Sequence, residues 1–143
     1  MVGLTVQNFL AGASGLAVGV AFMRGFARQQ PSKLGNFWVD MTRSPLWVLL
    51  PLSIVGSLVL VWQGVPMNWN HYTEAMTLEA GQQVIPQGPV AAPEIIKNLG
   101  TNGGSFFNAN GAHPYENPSS LSNFIEMLAI VLPPAHSRTR SDE

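Results

Sequence analysis

Residues 91–111, AAPEIIKNLGTNGGSFFNANG, gather the residue types best suited to chemistry in this chain. Pro93 suits the first turn of a helix, and Glu94 is favourable near the positive end of one. Glu94 to Leu99 predict a short helix that Gly100 stops. Thr101, Asn102, Gly103, Gly104 and Ser105 follow, and then Phe106 and Phe107. A short helix running into a Gly-rich strip suggests a re-entrant pore loop. Successive backbone carbonyls can replace the water around a cation, and glycine permits the dihedrals this requires. The helix would aim its negative C-terminal end at the ion, with Phe106 and Phe107 anchoring the loop by packing. Two other readings fit the composition. One is a surface turn rich in Gly and Asn. The other is a phosphate loop, which lacks the Lys-Ser/Thr that follows the last glycine of a Walker motif.

Other reactive side chains carry less. There is no cysteine, hence no thiolate metal site, Cys nucleophile or disulfide. His71, His113 and His136 lack metal-ligand spacing and read as loop or surface histidines. No acid–base pair, triad or nucleotide motif is visible, so no catalytic residue is expected and ATP is not expected to bind here. Asn108 and Asn110 are expected to hold turn backbone. Glu126 lies in an apolar run near its outer end, which suggests an interfacial position, with a pore or partner contact as the alternative. The near-neutral charge, −1, argues against nucleic acid.

The elements that would position the loop are apolar runs. Charged residues are only 10% of the chain, against about 25% in ordinary globular domains. Residues 2–23 carry no charge and predict a membrane helix; a signal peptide fits poorly, since no basic residue precedes the run. Residues 45–66 predict a second membrane helix, with Trp47 and Trp62 near its ends and Pro51 near its start. Residues 121–135 predict a partial helix that Pro133 and Pro134 stop. Segment 24–44 holds Arg24, Arg28, Lys33 and Arg43 against Asp40, while 67–120 holds Lys97 against four glutamates. The positive-inside tendency predicts a cytoplasmic 24–44 and tail and an external 67–120. Ala11, Gly15 and Gly19 form a small-residue stripe expected to pack helix on helix. The fold class expected is an all-α membrane protein in which a pore helix and filter loop, 91–111, lie between membrane helices. A soluble enzyme with a Gly-rich ligand loop is the distant rival.

The string EIIKNLGTNGGSFFNANGAHPYENPSSLSNFIEMLAI, residues 94–130, resembles the second pore-loop region of the potassium-transporting ATPase potassium-binding subunit (KdpA) family. Residues 1–30 are similar to the helix after that family's first filter, and the resemblance runs to about Ala135, leaving 136–143 as an unlike tail. It implies a multi-pass protein of the bacterial plasma membrane built on four helix–pore loop–helix units. Gly100, Thr101, Asn102, Gly103, Gly104 and Ser105 would form one potassium-binding filter strip. Potassium would pass through an intramembrane tunnel to a P-type ATPase subunit that hydrolyses ATP, with small accessory subunits and lipid as further partners. Ser105 stands where the family usually has a third glycine; a positive φ there would strain serine, whereas otherwise serine is harmless and can supply a hydroxyl, and the expectation is that Ser105 is tolerated but lowers potassium affinity. The first, third and fourth filter strips are absent, so the chain reads as a fragment. A non-transporting relic or accessory membrane protein is the alternative.

Overall fold

The computed structural model describes residues 2–27, 36–79 and 81–139. Helix α1, Val2–Ala27, fills the first apolar run. Helix α2, Phe37–Ser44, begins inside the segment expected to be a loop. Asn36 caps it by accepting the Trp38 amide at 3.1 Å. A π-helical turn, Pro45–Leu49, links α2 to α3, Leu50–Trp62. In that turn the Leu50 amide reaches back to the Pro45 carbonyl, five residues away. The wider turn directly precedes Pro51, whose ring would crowd the carbonyl four residues back in a regular helix. Phe37–Trp62 is thus one continuous rod of 26 residues, longer than the predicted 45–66 span. The remaining basic residues of the expected loop, Arg28 and Lys33, lie outside the described residues.

Helices Val2–Phe26 and Phe37–Trp62 are long and apolar enough to cross a membrane. Arg24 at the end of α1 pairs with Asp40 of α2, its second nitrogen 3.4 Å from the carboxylate. Helix α5, Ser120–Thr139, starts at a reciprocal cap: the Ser122 amide donates to Ser119 Oγ and the Ser119 amide to Ser122 Oγ, each at 3.0 Å. Contrary to expectation, α5 does not stop at Pro133 and Pro134. Proline has a helical φ, and a helix can lose a donor where its carbonyls find other partners.

The all-α expectation also needs amendment, because two short strands, β1 (Thr73–Met76) and β2 (Gln82–Ile85), pair antiparallel with Thr73 opposite Ile85. Their turn is closed by the Thr77 amide on the Gly81 carbonyl at 2.8 Å. TEAM and QQVI lack the β-branched alternation that announces a strand.

Helix α4, Ala91–Leu99, packs against α1, α3 and α5. Leu49, Leu60, Val90, Ile95, Ile96, Leu99 and Ala129 form the buried cluster around it, with Phe106 and Phe107 against its edge. Gly56 of α3 lies flush on Ile95, where any β-carbon would collide. On α1 the buried residues are Asn8, Gly12, Ala13 and Ala17. The Gly15 and Gly19 of the expected small-residue stripe instead face open space.

Candidate functional site

The strip after α4 is set by how that helix ends. The Thr101 amide donates to the Asn98 carbonyl at 3.1 Å and the Asn102 amide to the Lys97 carbonyl at 3.0 Å. This pair of bonds is a Schellman stop. The left-handed position of the motif is Thr101, at φ +53°, rather than Gly100, which keeps helical dihedrals. Gly100 is required for another reason. A β-carbon there would stand 2.8 Å from the Asn8 carbonyl of α1, and one on Gly12 would stand 2.9 Å from Gly100 Cα. The two backbones therefore touch, and Asn102 Nδ2 ties them by donating to the Asn8 carbonyl at 3.1 Å. A β-branched residue at positive φ costs about 1–2 kcal/mol. Such strain persists only where its surroundings impose it.

Gly104 is the second left-handed residue, at φ +83°. Its amide donates to Asn110 Oδ1, so Asn110 braces the strip from the returning arm. Asn108 and Asn110, both left-handed, serve the turn as expected. Ser105 is not at positive φ, so the conditional strain at that position does not arise. Its hydroxyl accepts the Ala109 amide at 3.1 Å, a role glycine lacks. Among the described residues the carbonyls of residues 100–104 accept no hydrogen bond. Five consecutive acceptors remain available, on a stretch whose amides are in part already engaged.

The returning arm is held by packing and by one carboxylate. Phe106 covers Gly88. Phe107 stacks on His113 with ring centroids 4.1 Å apart, so this histidine belongs to the loop's scaffold. His71 is exposed. The side chain of His136 is outside the described set. Glu116, fully buried, accepts the Phe107 amide at 2.9 Å and the Gly111 amide at 3.2 Å.

Behind the loop lies a group of charges the sequence reading did not assemble. Glu94 and Lys97, one turn apart on α4, form an ion pair that is almost wholly buried, and Asn98 Nδ2 approaches the same Glu94 oxygen at 3.5 Å. Gly111, at φ +82°, lets this pair close on the backbone: a β-carbon there would stand 2.8 Å from Glu94 Oε1 and 3.1 Å from Glu126 Oε2. Glu126 is therefore turned inward, 6% exposed, and not at an interface. Its Oε1, Glu94 Oε2 and both side-chain polar atoms of Asn8 are buried without a partner among the described residues. The signal was present: a Glu–Lys pair three residues apart in a short, mostly apolar helix, in a chain this poor in charge. Among the described residues no group of histidines and acids suits a metal centre.

Comparison with known sequences matches residues 1–139 to KdpA, the potassium-transporting ATPase A subunit, past the Ala135 at which the resemblance was expected to end. The potassium-transporting ATPase potassium-binding subunit of Rhodospirillum centenum is 57% identical over 132 residues, which cover 92% of this chain and 23% of that protein. The subunit so named from Klebsiella pneumoniae (strain 342) is 60% identical over 135 residues, 94% of this chain and 24% of its own length. That of Paramagnetospirillum magneticum is 62% identical over 130 residues, 91% and 23% respectively. The chain spans less than a quarter of the length of the curated relatives it matches. A match across nearly the whole chain, on a sequence whose Gly-rich strip is braced between helices, establishes that the chain belongs to the KdpA family.

Proposed function

We propose that this chain supplies one pore-loop unit of a potassium-binding subunit, in which residues 100–104 contribute backbone oxygens to a potassium filter and Ser105, whose carbonyl accepts the Asn108 amide at 3.3 Å, closes the strip. The observation that carries the reading is the run of five carbonyls, Gly100 to Gly104, that accept no hydrogen bond among the described residues. A dehydrated cation needs such a run. The buried α4 directs its C-terminal end toward the strip, which adds a favourable dipole. The strain at Thr101 and the backbone contact with α1 supply the rigidity a filter requires.

Potassium is the cargo, and no step of bond-making falls to this chain. Within the complete assembly the ion would leave the filter by an intramembrane tunnel toward a P-type ATPase subunit, where ATP is hydrolysed, with small accessory subunits completing the complex. The charge asymmetry supports a cytoplasmic segment 24–44 and an external 67–120 in a bacterial plasma membrane. One strip cannot enclose an ion, so selective binding depends on further strips. The relatives, about four times as long, favour this over binding by the chain alone.

The test is a hybrid: the full-length Klebsiella pneumoniae relative, with its matching segment replaced by this sequence, assembled into its ATPase complex. Potassium-stimulated ATP hydrolysis at low potassium is the expected result. A hybrid that assembles normally yet loses potassium stimulation would favour the second reading, a relic that packs with other subunits without transporting.

A further inference from the structure

Glu116 stands apart from the strip in sequence, and neither composition nor motif marks it. The structure assigns it a positioning role in potassium selection, an inference that rests on the filter reading above. Its two carboxylate oxygens bridge the Phe107 and Gly111 amides, at 2.9 and 3.2 Å, across the base of the returning arm. Asn110, between those two residues, presents its side-chain oxygen to the Gly104 amide. A chain of contacts therefore runs from a fully buried carboxylate, through the arm, to left-handed Gly104 of the strip. At Gly111 the arm also lies close against the Glu94, Lys97 and Glu126 side chains, where a β-carbon would not fit.

A carboxylate is suited to the clamp because both of its oxygens accept, and charge-assisted bonds to backbone amides are among the strongest available. The isosteric amide has one accepting oxygen; its NH2 would face the second backbone N–H, donor against donor. Glu116→Gln keeps volume and shape while freeing one end of the arm. The loosened end carries Asn110, and with it the placement of the Gly104 peptide.

The experiment uses the hybrid complex, reading the potassium KM, kcat and sodium activation of ATP hydrolysis. Glu116→Gln is expected to raise the potassium KM roughly tenfold, the scale of losing an outer-shell partner at an ion site. It is also expected to narrow the preference for potassium over sodium, with a smaller change in kcat. An unchanged KM and ion preference, or a fall in kcat and assembly without a KM shift, would overturn the assignment. Should the Gln complex fail to assemble, Asn110→Gly, which removes the side-chain oxygen and tolerates the left-handed backbone, decides by the same readings. Gly104→Ala separates the two claims. If it raises KM and Glu116→Gln does not, the positioning role alone falls; if it leaves KM unchanged, the filter reading falls and the role with it.

Discussion

The two long helices and the segment 91–116 are built on opposite distributions of polarity. Helices α1 and α3 expose Val6, Leu10, Val18, Phe22, Ile54, Val55 and Leu58. The α4 region buries Glu94, Lys97, Asn98, Glu116 and, from α5, Glu126. In water this arrangement would be inverted, since exposed apolar stripes and buried charges both raise the free energy of a soluble fold. In lipid the outer faces are at no disadvantage, and polar groups gain by facing protein. The helices are thus a wall, and among the described residues the loop region is where buried polar partners are concentrated.

Substitutions sharpen that contrast, beginning where polarity is most deeply buried. Lys97→Met leaves buried Glu94 without its ion-pair partner, so a loss of about 3–5 kcal/mol is expected. Thermal unfolding of the assembled hybrid complex in detergent reads it, and an unchanged midpoint would show the pair to be solvated. Gly100→Ala forces α1 away from α4 and is expected to cost about 1–3 kcal/mol by overpacking, with a raised potassium KM. A neutral result would mean the helices do not meet at that point. Thr101→Gly removes left-handed strain and should change stability by no more than about 1 kcal/mol in the favourable direction. A clear destabilisation would show that the threonine side chain makes contacts that outweigh its strain. Gly15→Ala, on the open face of α1, is expected to shift the midpoint by less than about 0.5 kcal/mol unless another subunit packs there. A large loss in the complex, absent in the isolated chain, would turn that face into an interface.

What could be read from the sequence follows the same division. Uncharged runs gave the two long helices, because length and hydropathy alone suffice for them. Their ends were less legible: α2 extends the second rod toward the N-terminus, and α5 continues past two prolines that sequence rules treat as a stop. The hairpin at 73–85 was invisible, since its strands are exposed and lack alternation. Within the loop, the short helix and the strip were marked by Pro93 and the glycines. The cause of the stop was not: Gly100 is there for the contact with α1, a relation across about ninety residues, while the left-handed turn falls on Thr101. Glu116 and Glu126 were equally hidden, because nothing local tells a buried carboxylate from a solvated one.

The proposed filter requires potassium to bind the carbonyls of residues 100–104. A structure of the assembled hybrid complex in thallium or rubidium, read by anomalous scattering, tests it most directly. A cation peak in coordination contact with carbonyl oxygens of that strip is expected. A peak elsewhere on the chain, with none at the strip in a complex that retains potassium-stimulated hydrolysis, would contradict it.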